Sequence, residues 1–217
     1  MQVFGRQADQ IAQFGLTAAL VMLLVFAVAW VGLDRSSYGT GQRLARLQPI
    51  PFSHAHHAGE DGIDCRYCHG AVETSSSAGL PATEICMTCH SQLFADAPVL
   101  EPVRQSFASG KPIVWERVHD LPDFVYFNHA AHVNNGVGCV SCHGRIDEMP
   151  TLYQAAPLTM QWCLDCHRDP GPQLRPEDEI TSMTWTPTGE RRKFGEQMIA
   201  HYHVRTDHMT DCYVCHR

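Results

Sequence analysis

All ten cysteines of this 217-residue chain fall in five C-x-x-C-H motifs: Cys65/Cys68/His69, Cys86/Cys89/His90, Cys139/Cys142/His143, Cys163/Cys166/His167 and Cys212/Cys215/His216. Two thiols at this spacing can each bond a vinyl group of one porphyrin, and the histidine that follows then lies beneath the iron. The pattern predicts five covalently bound haem c groups, with these cysteines as attachment residues and His69, His90, His143, His167 and His216 as proximal iron ligands. Zinc knuckles and redox dithiols also use C-x-x-C. A four-cysteine zinc site consumes two knuckles, so five leave one over, and zinc gives no reason for a histidine after every pair. A disulfide framework accounts for an even cysteine number but not for the motif.

Residues 14–33 form the second constraint: a twenty-residue apolar run without a charge, bounded by Asp9 and by Asp34-Arg35. At about 1.5 Å per residue it matches a hydrocarbon layer of roughly 30 Å. Ala27-Val28-Ala29 has the form of a signal cleavage site. The apolar run continues through Trp30, Val31 and Leu33, however, which favours one retained transmembrane helix. Arginines lie on both sides (Arg6; Arg35, Arg43, Arg46), and long domains translocate largely regardless of such charges. Haem is joined to these motifs outside the bacterial cytoplasm. The expected layout is a cytoplasmic segment at 1–13, a single-pass anchor at 14–33 in the bacterial cytoplasmic membrane, a linker at 34–51 and a periplasmic pentahaem domain at 52–217.

About 184 residues follow the anchor, roughly 37 per motif, too few for a large side-chain core around each. The porphyrins are therefore expected to supply much of the apolar interior. The expected fold class is a multihaem cytochrome c, mostly coil with short α-helices packed around five haems, plus one N-terminal transmembrane helix. The formal charge of −7 excludes haem propionates, so the mature surface is more acidic still. The one basic run, Arg191-Arg192-Lys193, reads as a solvated face, and no nucleic-acid partner is expected.

An internal repeat organises the domain. Phe52-Ser53-His54-Ala55-His56-His57 precedes two haem motifs, and Phe127-Asn128-His129-Ala130-Ala131-His132 precedes the next two. The halves are 52–90 and 127–167, with the unpaired fifth motif at 212–216, a candidate point for electrons to enter or leave. Such repetition means one supersecondary unit used twice. Short helices are expected around the motifs. The stretches 91–126 and 169–190, each with four prolines, read as extended or irregular connections.

Fourteen histidines, less the five proximal ones, leave nine for distal positions. That surplus points to six-coordinate irons that pass electrons without binding substrate. The F-x-H-x-x-H pattern resembles that of small tetrahaem cytochromes of the c-three class. The resemblance implies that His54 serves the haem on His69 and His129 the haem on His143, while His57 and His132 cross to other haems. His119 is expected to ligate a further haem. His56 has no counterpart in the second copy and reads as a neighbour, not a ligand. The roles of His201, His203 and His208 stay open, as does a methionine ligand from Met149, Met160 or Met183, which would raise a potential relative to paired histidines.

The anchor, five motifs, FSHAHH segment and the stretch WERVHDLPDFVYFNHAAH at 115–132 together resemble the pentahaem subunit of alternative complex III, a bacterial quinol-oxidising membrane complex. The resemblance implies a polytopic quinol-oxidising membrane subunit and an iron-sulfur subunit as partners. It implies a monohaem cytochrome c subunit or a soluble acceptor downstream, and no bond chemistry or catalytic residue in this chain. A self-contained quinol dehydrogenase would need an open haem beside the bilayer. A multihaem reductase would need an open haem in a substrate pocket, often with an unusual motif, whereas all five motifs here end in histidine.

Overall fold

A computed structural model describes residues 5–216; the first four residues of the expected cytoplasmic segment and position 217 lie outside them. The chain divides into two compact units, one ending at Gln42 and one beginning at Arg43. The first unit holds α1 (Arg6–Asp34) and α2 (Ser37–Thr40). No residue of α1 is buried, and the helix is long and apolar enough to cross a membrane. It starts at Arg6 rather than at 14, because Gln7, Ala8 and Gln10 are adequate helix formers ahead of the apolar run.

Among the described residues the second unit carries eight short α-helices: α3 (Cys65–Cys68), α4 (Thr83–His90), α5 (Glu101–Ser109), α6 (His129–Val133), α7 (Val140–His143), α8 (Met160–Arg168), α9 (Arg191–His201) and α10 (Cys212–Cys215). Among the described residues there is no strand, only the isolated bridges Ala45–Tyr153, Val125–His216 and Val137–Leu174. The attachment motifs coincide with α3, α4, α7, α8 and α10, because residues three apart stand on one face of a helical turn. Both thiols of a pair then face the same way.

The stretch 91–126 is not wholly extended, as its prolines led us to expect: α5 lies within it. Pro102 sits in the first turn of α5 and Pro98 opens the 3₁₀ turn before it. There a missing N–H is harmless, since no intrahelical acceptor awaits it. The helix buries Val103 and docks on α4 through a 2.7 Å bond between the Thr83 and Ser106 hydroxyls. Residues 169–190 are irregular, with 3₁₀ turns at Gly171–Gln173 and Glu177–Glu179. The basic run opens α9 and is exposed.

Residues 43–51 run against the rest of the second unit. The Gln48 amide reads the backbone of Glu116 both ways, donating to its carbonyl at 3.0 Å and accepting from its N–H at 3.0 Å. Arg46 donates to Arg117 O at 3.1 Å, and Arg43 N–H to Gln154 O at 2.8 Å.

Buried apolar side chains are few: Ile50, Val72, Val103, Val118, Val133, Met149, Ala156, Leu174 and Ile180. Among the described residues, Val72, Val133 and Ile180 form the one cluster of these, joined by Ala78 and Cys139. No large described side chain is fully enclosed. Since a buried core residue ordinarily touches many others in one contiguous cluster, apolar packing between side chains alone gives this unit little cohesion.

Candidate haem-attachment sites

The two copies of F-x-H-x-x-H are built by the same local physics. In the first, Ser53 Oγ accepts from His56 N–H at 3.2 Å; in the second, Asn128 Oδ1 accepts from Ala131 N–H at 3.2 Å. A short polar side chain thus satisfies a free amide at the start of each turn. The first copy then winds as a π-helical turn, Ala55–Glu60, and the second as α6. Phe52 stacks on His57 at 4.4 Å and meets His54 edge-on at 4.9 Å. Phe127 repeats this with His132 at 4.5 Å and His129 at 4.7 Å.

Backbone carbonyls fix the imidazoles. His57 Nδ1 donates to Ser53 O at 2.9 Å, and His132 Nδ1 to Asn128 O at 2.7 Å. His129 Nδ1 donates to Ser76 O at 2.9 Å. Four motif histidines do the same: His69 to Gly79 O (2.8 Å), His90 to Leu93 O (3.1 Å), His167 to Met209 O (2.7 Å) and His216 to Phe124 O (3.1 Å). A carbonyl can only accept, so in all seven rings Nδ1 carries the proton and Nε2 keeps its lone pair for a metal.

Opposed rings then test whether haem fits. With a metal–imidazole bond of about 2 Å on each side, two rings facing across one ion stand with centroids about 6 Å apart. His57 and His90 are 6.1 Å apart, His132 and His167 6.1 Å, and His129 and His143 6.4 Å with planes only 15° apart. Among the described residues no three cysteine, histidine or acidic side chains converge as ligands of a bare metal ion. Two thiols beside one imidazole, with a second imidazole opposite, suit a flat macrocycle held between them. The residues present therefore fit haem c.

The electrostatics agree with this fit. Burial pushes the His54 imidazole down to about 4, and its neighbours His69, His57 and His119 push the same way. Burial also takes His143 down to about 3, reinforced by His119, His129, His69 and His54. His119 and His132 are lowered too, chiefly by burial. Neutral rings are the form a metal requires. Three buried ring nitrogens, His54 Nδ1, His119 Nε2 and His143 Nδ1, have no hydrogen-bond partner. His54, His69, His119, His129 and His143 are thus electrostatic neighbours at the meeting of the two halves.

His119 lies 4.4 Å from the His143 ring, edge to face, nearer than an opposed axial pair would stand. His56 is exposed and lies between Glu60 (2.9 Å) and Asp61 (3.5 Å); its pKa is raised by the hydrogen bond to Glu60 first and by the charge of Asp61 next. His201 and His203 are exposed, and exposed His208 pairs with Asp211 at 3.0 Å. Met149 is buried with 2% of its surface exposed, Met160 is 65% exposed, and Met183 is half-buried. The ring stacked against His216 is Phe124, at 5.8 Å. Sequence reasoning did not find the carbonyl acceptors, which any residue type can supply.

Gly144, after the third motif, is at φ 68°, where a side chain is strained, and a Cβ there would stand 2.6 Å from that of Ala155. Asp64 caps α3, its Oδ1 accepting from Arg66 N–H at 2.8 Å and from Arg66 Nε at 2.9 Å. Arg66 is the main cause that holds the Asp64 carboxyl down at about 2. A depressed carboxyl stabilises the fold above the ordinary carboxylate value of about 4 and loses that contribution as pH falls toward about 2. Asp64→Ala is expected to lower the stability of the mature protein at pH 7 by about 1 kcal/mol through the lost cap. Asp64→Asn keeps a cap but should flatten the acid dependence between pH 4 and 2 and give up at pH 7 the stability that the ionised carboxyl supplies, read from thermal melts across that window.

No family model matches this chain. It is similar to the multihaem cytochrome c subunit of a menaquinone reductase from Nitratidesulfovibrio vulgaris strain Hildenborough, with 38% identity over 125 residues, which is 57% of this chain and 55% of that protein. The match therefore spans little more than half of that relative's length. This chain is a homologue of a multihaem c-type cytochrome, with a helix able to serve as a membrane anchor.

Proposed function

We propose that this chain is a membrane-anchored pentahaem cytochrome c that relays electrons within a quinol-oxidising respiratory complex of the alternative complex III kind. The observation that carries the reading is the recurrence of opposed imidazoles at about 6 Å, all but His143 held by a backbone carbonyl, which leaves those sites no open iron position for a substrate. Bound there, each haem would supply a reversible one-electron couple. The chain's own residues hold the macrocycles by thioethers, present neutral imidazoles to iron and set potentials through burial and the Nδ1 hydrogen bonds. The domain from 52 to 217 lies on the periplasmic side. Its partners are a polytopic membrane subunit, an iron-sulfur subunit, and a monohaem cytochrome or soluble acceptor. The reverse direction, electrons delivered to a quinone, is the second reading, and it is favoured by the name of the similar protein, a menaquinone reductase.

The native assembly, purified in mild detergent, tests this. The chain is expected to carry five haem adducts by mass and no free thiol, and to co-purify with a polytopic subunit. Added quinol should reduce it only when that subunit is present. Rapid reduction of the isolated chain by quinol, blocked by a quinone-site inhibitor, would make it a self-contained quinol dehydrogenase instead. Menaquinone reduction driven by a reduced periplasmic cytochrome, without quinol oxidation, would select the reverse direction.

A further inference from the structure

Resting on the reading that all five motifs carry haem c, we infer that the motifs form one unbranched file in the order second, first, third, fourth, fifth. The ends of the file are then the second and fifth motifs, and the first lies inside it. Sequence order gives a different file, with the first motif at one end.

Each junction is built from side chains of the motifs or of segments next to them. The second and first meet where Tyr67, between Cys65 and Cys68, shares a 2.9 Å hydrogen bond with Thr88, between Cys86 and Cys89. Cys68 has Cys86 and Cys89 beside it. The first and third meet at Cys65 and Cys139, whose sulfurs are neighbours. A strap binds the same place: Ile180 O accepts from Cys139 N–H at 3.0 Å, and Thr181 Oγ1 donates to Asp64 Oδ2 at 3.0 Å. His129 and Ala130 add backbone bonds at 3.1 Å to Ser76 and Ser75, in the loop after the first motif. The Val72, Val133 and Ile180 cluster with Cys139 packs there as well.

The third and fourth motifs meet where His132, in the segment ahead of the third, stands 6.1 Å from His167 of the fourth, and where Cys142 has Cys166 and Cys163 beside it. The fourth and fifth meet where Cys163 neighbours Cys215, and where His167 Nδ1 donates to Met209 O at 2.7 Å, just ahead of Cys212. An independent observation marks the ends. Of the ten cysteines only Cys89 and Cys212 are exposed, and they belong to the second and fifth motifs. Every route between the ends crosses the Cys65–Cys139 junction.

The test is magnetic, on the full mature chain in detergent. Exchanging a distal histidine for methionine raises the potential of one haem, which can then be reduced to a spin-silent form while the other four stay ferric. Neighbouring ferric haems lose a magnetic partner, and their paramagnetic resonance signals change. With His57→Met, which addresses the second motif, one of the four remaining signals is expected to change. With His54→Met, which addresses the first, two are expected to change. Sequence order predicts the reverse, two and then one, and that result overturns the file; so does the absence of any change in either variant. Either variant suffices if the other fails to mature. The haem count by mass, taken on the same samples, separates the two levels of inference: fewer than five adducts on the unaltered chain overturns the reading beneath the file.

Discussion

Produced without haem attachment, the chain is expected to keep the helix of α1 in detergent but to show no cooperative melt and no ordered aromatic circular dichroism from residues 43–217. The physical reason is the thin interior of that unit: nine scattered buried apolar side chains, one small cluster and no large side chain fully enclosed. Against this stand three unpartnered buried imidazole nitrogens. Each such group costs about 1–3 kcal/mol, a large fraction of the roughly 5–15 kcal/mol by which whole domains are stable. Haem offsets the first deficit by adding apolar surface, and its iron holds imidazoles in place through Nε2, the atom left unpartnered in His119. A haem-free chain with a sharp melt and native-like aromatic signals would show that side-chain packing alone suffices.

The second large effect separates two histidines of the repeat. His129→Ala is expected to convert one of the low-spin haems to a high-spin or ligand-exchanged form, whereas His56→Ala should leave the low-spin spectrum almost unchanged. His129 faces His143 at 6.4 Å in nearly parallel planes, its Nδ1 held by Ser76 O. His56 is outside the cluster, exposed and embraced by Glu60 and Asp61. Optical and paramagnetic resonance spectra of the ferric protein read the difference directly. Identical spectra for the two variants would remove the assignment of distal ligands from the repeat.

The site was legible wherever chemistry is written into residue type and spacing. C-x-x-C-H pointed to covalently bound haem, and F-x-H-x-x-H, read twice, marked two segments that fold alike, although the packing of Phe52 on His57 and of Phe127 on His132 was seen only in the structure. Elements set by local context were harder. The prolines at 98 and 102 looked like breakers, yet each opens a helical turn, because what matters is position within the turn. The helix α9 gave no signal that we read, since its first turn is three adjacent cations. The acceptors for the motif histidines were invisible, because a carbonyl belongs to every residue. The junction of Cys65 with Cys139 was beyond reach for another reason: nothing in the spacing of a repeat says which copies touch in space.

The distances along the chain between each motif histidine and its carbonyl carry a consequence for biogenesis. In the first half the acceptors are near, with His69 ten residues from Gly79 and His90 three from Leu93. In the second half His167 waits for Met209, 42 residues on, and His216 of the unpaired fifth motif reaches back 92 residues to Phe124. Loop closure over such spans is slower and more demanding than over a single turn. On the proposed periplasmic location, the N-terminal sites can therefore be completed while the chain is still emerging, whereas the fourth and fifth stay open until residues 209–216 have arrived. Truncation near residue 209 thus strikes the fourth site as well as the fifth, even though every residue of the fourth motif is already present.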